Sequence, residues 1–118
     1  MKSKDMIIIK KISEYCKDIQ KIVTCTRFED FVENITVNRA TAMTLQQIGE
    51  LSKKLSDDIK LRFNDIKWED IRGLRNRIAH DYEGIDWNIV WEAVEKDVPE
   101  LLDYTQKILT NINQEEAR

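Results

Sequence analysis

The sequence predicts an all-α fold, an antiparallel bundle of four to five helices, and three observations carry that prediction. Three glycines and one proline stand against 42% hydrophobic and 35% charged residues, so the punctuation that sheets and tight turns require is scarce. Apolar residues recur at intervals of three and four through long stretches, the period of a helix buried on one face. No Pro/Gly-rich linker, internal repeat or low-complexity segment interrupts the 118 residues. Single domains are commonest at about 100 to 150 residues, so residues 1–118 are expected to form one domain around one core.

The firmest helix is the first, where Ile8, Ile12, Tyr15, Ile19, Ile22 and Thr26 form a stripe of roughly five turns, widened by Cys16 and Val23. Phe28, Phe31, Val32 and Ile35 then make either a short helix or a continuation past a bend. From Thr36 a second long helix carries Val37, Ala40, Thr44, Ile48, Leu51 and Leu55. Gly49 inside it costs about 1 kcal/mol relative to alanine, which suggests close approach of a neighbouring helix. Asp57 and Asp58 resemble the start of a short turn ending near Phe63, and Asn64-Asp65 break the run.

A third major helix is expected to begin near Lys67 or Trp68, with Glu69 and Asp70 favourable to its dipole, to carry Ile71, Leu74 and Ile78, and to stop at Gly84. Asp86 is a suitable N-cap for the last segment, whose stripe is Ile89, Val90, Ala93, Val94, Val98, Leu101, Thr105, Ile108 and Ile112. Pro99 either kinks that segment or sits in the first turn of a new helix capped by Asp97. Trp68, Trp87 and Trp91 are expected to anchor the third helix against the last, with base stacking as the alternative.

Charge is unevenly distributed. Residues 1–80 carry 16 basic and 12 acidic side chains, whereas residues 81–118 carry 3 basic and 10 acidic, and the whole chain has a net charge of -3. A general nucleic-acid coat is therefore disfavoured. Any contact with phosphate is local to residues 71–80, which hold Arg72, Arg75 and Arg77 and no acid. Cys16 and Cys25 fall in one helical pattern and are too far apart to bridge, about 13 Å at ~1.5 Å rise per residue. Two cysteines and one histidine are a poor inventory for a metal, so none is expected, and no cofactor is expected either. A reducing cytoplasm is the natural compartment, and neither a secretory signal nor a membrane span is expected.

The most informative stretch is Arg75-Asn76-Arg77-Ile78-Ala79-His80-Asp81-Tyr82, which places the only histidine five residues after an arginine and two before a tyrosine. Arginine neutralises and orients phosphate, a histidine near its ordinary pKa of ~6.5 moves a proton at neutral pH, and a tyrosine hydroxyl can be modified. A lone histidine in a helical protein is more often structural. One set among three arginines rarely serves only to fill a core, and the combination points to chemistry at a phosphodiester.

Here the chain resembles the HEPN superfamily, named for higher eukaryotes and prokaryotes nucleotide-binding, and within it the HepT-like toxins. Arg75, Asn76 and His80 fit the superfamily hallmark and Tyr82 fits the HepT-like extension. Arg39-Ala40, Ile48-Gly49-Glu50, Trp68, Gly73-Leu74, Ile85-Asp86 and Val90-Trp91 extend the likeness over roughly residues 5–112. The resemblance implies a dimeric HEPN-like bundle whose two motifs face one cleft, and metal-independent RNA cleavage. It also implies a minimal nucleotidyltransferase antitoxin that silences the toxin by transferring AMP to the motif tyrosine, here Tyr82.

On that reading His80 is the general base on a ribose 2′-hydroxyl, Arg75 steadies the phosphoryl charge and Asn76, one helical turn from His80, orients His80 or the phosphate. Arg72 and Arg77 are positioning contacts for RNA or, equally, surface salt-bridge partners. On a straight helix five residues rotate by ~140°, so Arg75 and His80 do not share a narrow face, whereas Arg75 and Tyr82 do. Either the helix unwinds near His80 or two chains build the site, and the second is favoured. The alternatives are a non-catalytic helical module that binds a nucleotidyltransferase or nucleotide, and a purely structural bundle.

Overall fold

Three long helices make the frame in the computed structural model, which describes residues 3–80 and 84–116 and, at Ala79, His80 and Glu116, the backbone alone. They are α1 (Ser3–Ile22), α3 (Ile35–Lys53) and α8 (Val98–Glu116). Between them run the short helices α2 (Phe28–Glu33), α4 (Asp57–Arg62), α5 (Trp68–Arg72), α6 (Leu74–Ile78) and α7 (Trp87–Glu92). The all-α expectation holds, with the addition of a two-residue antiparallel ladder, β1 (Ala79–His80) against β2 (Gly84–Ile85).

Side-chain bonds set the helix directions. Asp5, buried near the start of α1, accepts hydrogen bonds from the backbone N–H (2.9 Å) and hydroxyl (2.5 Å) of Ser56, just past the end of α3, so those two helices run antiparallel. Arg62, at the end of α4, pairs with Glu115 at the end of α8, which brings the C-terminus of α8 back beside the start of α1. Ile9, Ile12, Cys16 and Ile19 of α1, Leu45 and Ile48 of α3, and Ile108 and Ile112 of α8 are fully buried in one contiguous core. Burying a side chain of this size contributes ~1.5–3 kcal/mol.

Several boundaries differ from expectation for identifiable reasons. The first helix stops at Ile22 because Cys25 takes a left-handed conformation (φ 60°), which also puts the two thiols on different elements. Asn34 caps α3 by accepting from the Val37 N–H at 3.1 Å. The cap of α4 is Ser56, whose hydroxyl accepts from Ile59 N–H at 3.4 Å, while Asp57 and Asp58 lie in the first turn. Asp86 caps α7 as expected, accepting from Asn88 and Ile89.

Pro99 sits in the first turn of a helix, as one of the two expectations had it, but that helix is entered from a π-helical turn and not from a fresh start at Asp97. The chain passes from α7 through a π-helical turn, Ala93–Asp97, into α8 with Pro99 in its first turn. The Val98 N–H reaches the Ala93 carbonyl five residues back. Proline has no N–H to give and its ring crowds the carbonyl four residues earlier, a conflict that the wider turn relieves.

Candidate phosphate-binding edge

The motif segment is held by a glycine. A Cβ at Gly49 of α3 would stand 3.1 Å from the carbonyl oxygen of Ile71 and 3.8 Å from the Leu74 side chain, so a side chain there would require α5 to give by a few tenths of an ångström. Ile71, Leu74 and Ile78 face the core, and Trp68 is buried with its Nε1–H donating to the Phe63 carbonyl at 2.9 Å. The polar residues between these anchors are thereby turned outward.

The single helix expected from Trp68 to Gly84 is two short helices that end at Ile78. Gly73 separates them, its N–H donating to Glu69 O at 2.9 Å. The Ile78 carbonyl, which a continuing helix would offer to the amide four residues on, instead accepts from the Asp86 N–H at 2.9 Å. His80 therefore lies in an extended backbone paired with Gly84, whose φ of 91° suits a glycine. The one-turn helical relation expected between Asn76 and His80 is lost with it. Of the two routes by which Arg75 and His80 could share a cleft, the local unwinding is present in the backbone.

Arg75 and Asn76 are neighbours on α6 and both are exposed. Among the described residues no carboxylate pairs with Arg75. Arg77 is different: its Nη2 lies 3.5 Å from Oδ2 of Asp97, with 38% and 25% of the two side chains exposed. A pair this open contributes at most ~1 kcal/mol. Asp97 comes within reach because the extra residue of the π turn rotates the rest of the segment by roughly 100° relative to a straight helix. Beyond it lies a cavity of about 150 Å³ lined by Asp65, Lys67, Asp70, Asp97 and Glu100 with Ile66, Ile71 and Leu101.

Arg72 lies apart from these residues, lining a separate cavity of about 160 Å³ with Asp57, Lys60, Trp68 and Glu69. Tyr82, the proposed modification site, lies outside the described residues, as do Asp81 and Glu83, and of His80 the structure describes the backbone. Among the described residues no group of three His, Cys, Asp or Glu side chains is placed to hold a metal ion. No described helix is long and apolar enough to cross a membrane.

Two contacts near the motif escaped the sequence. Asp97, taken for a helix cap, is the partner of Arg77. Arg39, on the outer face of α3, lies with its guanidinium 5.3 Å from the ring centroid of Trp87. Trp87 and Trp91 pack on Phe31 at centroid distances of 5.9 and 4.9 Å, and Trp91 also meets Phe28 at 5.9 Å. They join α7 to α2, where the sequence suggested a clasp between the motif helix and the last helix. An arginine four residues after an apolar α3 position and facing no acid was the available signal.

Comparison with known proteins places these features in context. The family model described as "Ribonuclease HepT-like" matches residues 12–108. A protein of Caldanaerobacter subterraneus subsp. tengcongensis named "Putative RNase" is 32% identical over 101 residues, 86% of this chain and 90% of its own length. A Methanocaldococcus jannaschii protein of the same name is 32% identical over 101 residues, 86% of this chain and 84% of its own. "Probable ribonuclease HepT" of Thermococcus cleftensis is 29% identical over 108 residues, covering 92% and 98%. No solved structure matches the chain.

Proposed function

The chain belongs to the HepT-like ribonuclease family, and from that premise we propose that it is the toxin of a toxin–antitoxin pair, cutting RNA without a metal and silenced by AMP on Tyr82. The observation that carries this reading is the position of Arg75. It stands exposed and without a carboxylate partner among the described residues, three residues before the helix end and on the segment that leads into His80.

The chemistry follows from those residue types. His80 takes the proton of a ribose 2′-hydroxyl, the 2′-oxygen bonds to the adjacent phosphorus, and the P–O5′ bond breaks to leave a 2′,3′-cyclic phosphate. The departing 5′-oxygen takes a proton from the His80 of a second chain, and Arg75 holds the charge gathering on the phosphoryl oxygens. Asn76 beside it orients the phosphate. The acid-lined cavity behind Asp97 repels phosphate, so the strand approaches over Arg75 and Asn76, with Arg77 as a secondary contact and Arg72, which lines a separate cavity, reached only by a strand that runs on past α6.

The protein acts as a homodimer, since two His80 side chains are needed for the acid and base roles, and its regulator is a minimal nucleotidyltransferase. AMP on Tyr82 adds an anion and a bulky base two residues from His80, which excludes RNA. The test is product analysis with the purified protein in EDTA. Cleavage that yields cyclic phosphate and 5′-hydroxyl ends, and that a single 2′-deoxy substitution blocks, supports the reading. Cleavage of the deoxy substrate, or dependence on a divalent ion, overturns it.

A further inference from the structure

We propose that Arg39 is an additional phosphate contact for the RNA, seated on Trp87 so that it extends the motif's basic edge. This rests on the ribonuclease reading and deepens it, because no residue of α3 belongs to the motif. Three observations on the molecule converge. Arg39 is exposed, and among the described residues no carboxylate neutralises it, unlike Arg27, Arg62 and Arg77, each of which has an acidic partner. Its nearest neighbours along the outer face, Ile35 and Met43 one turn to either side, are 69% and 66% exposed and carry no charge. No described carboxylate therefore competes with a phosphate for the guanidinium.

Its seat is rigid and lies at the motif. The indole beneath it, Trp87, is fixed edge-on against the fully buried Phe31. Trp87 directly follows Asp86, whose N–H bonds to the Ile78 carbonyl at 2.9 Å, and it lies two residues after the strand paired with Ala79–His80. An arginine stacked on an aromatic face loses side-chain freedom before it meets its ligand while its N–H groups stay directed outward. Such a group contributes to binding without taking part in bond making. A single-stranded RNA lying over Arg75 and continuing along the β1–β2 side would carry its next phosphates toward it.

The experiment is steady-state cleavage of a short RNA by the unsubstituted protein, Arg39→Ala and Arg39→Lys, with RNA affinity measured from low to moderate salt and the oligomeric mass of each taken by light scattering. Arg39→Ala is expected to raise KM three- to tenfold, on the order of 1 kcal/mol in binding, with kcat within twofold. The slope of log affinity against log salt should fall by about 0.7, the value of one contact on a single strand. Arg39→Lys should keep the slope and part of the affinity. Cleavage with unchanged KM and slope in Arg39→Ala overturns this inference and leaves the ribonuclease reading standing. Loss of the dimer in Arg39→Ala overturns it in favour of a protein interface on that face. Absence of any cleavage by the unsubstituted protein overturns both.

Discussion

Asp97 holds Arg77 at 3.5 Å, and it reaches that arginine from a π-helical turn rather than from the helix cap its neighbour Pro99 suggested. One of the motif's two arginines is thereby partly neutralised while Arg75 is not. Asp97→Asn removes the opposing charge but not the side chain's volume. It is expected to tighten RNA binding two- to fivefold and to change stability by less than ~1 kcal/mol, as for other open ion pairs. Affinity unchanged in Asp97→Asn and also in Arg77→Ala would make the pair purely structural.

Gly49 sets how closely the motif segment approaches α3. Alanine there gains about 1 kcal/mol in helix propensity, yet its methyl would press on the Ile71 carbonyl at 3.1 Å, and overpacking of this kind costs ~1–3 kcal/mol. The contacted atom is backbone in a packed helix and yields little. Gly49→Ala should lower the urea midpoint by about 1 kcal/mol equivalent and reduce cleavage, because the segment bearing Arg75 is displaced. A stabilised, fully active variant would show that the contact relaxes freely.

The two thiols should separate cleanly by reactivity. Burial pushes the Cys16 thiol from 9.0 up to about 12, whereas Cys25 is exposed in the turn after α1. At pH 8 a disulfide reagent should titrate one thiol per native chain and both after denaturation. With its folded pKa raised, Cys16 contributes full stability below pH 9.0 and progressively less as pH climbs toward about 12. Rapid reaction of Cys16 in the native protein would mean that α1 is not packed as described.

Control by modification is testable through mass. A cognate nucleotidyltransferase with ATP and magnesium should add AMP to Tyr82 and suppress cleavage, and Tyr82→Phe should escape suppression while retaining most activity. Peptide mapping that places the AMP on Tyr15 or Tyr104 would reassign the regulatory site.

Much of this arrangement was legible in the chain. The stripes of α1, α3 and α8, the cap at Asp86 and the close approach at Gly49 all arise from local periodicity or single-residue chemistry, which sequence records directly. What escaped depends on long-range partners. The helix end at Ile78 goes with a hydrogen bond to its carbonyl from Asp86, eight residues on, and the Arg77–Asp97 and Arg39–Trp87 contacts join residues 20 and 48 positions apart. No periodicity announces them.

The central claim, that Arg75 and His80 do the chemistry, is tested most directly by cleavage and thermal unfolding measured together on Arg75→Ala and His80→Ala. General base catalysis is worth ~10²–10⁴ in rate, so each variant should lose at least ~100-fold in cleavage with its Tm within the range of exposed-site substitutions, and EDTA should leave the unsubstituted enzyme unaffected. Cleavage retained in His80→Ala, with the fold intact, would contradict the account and move the active site elsewhere.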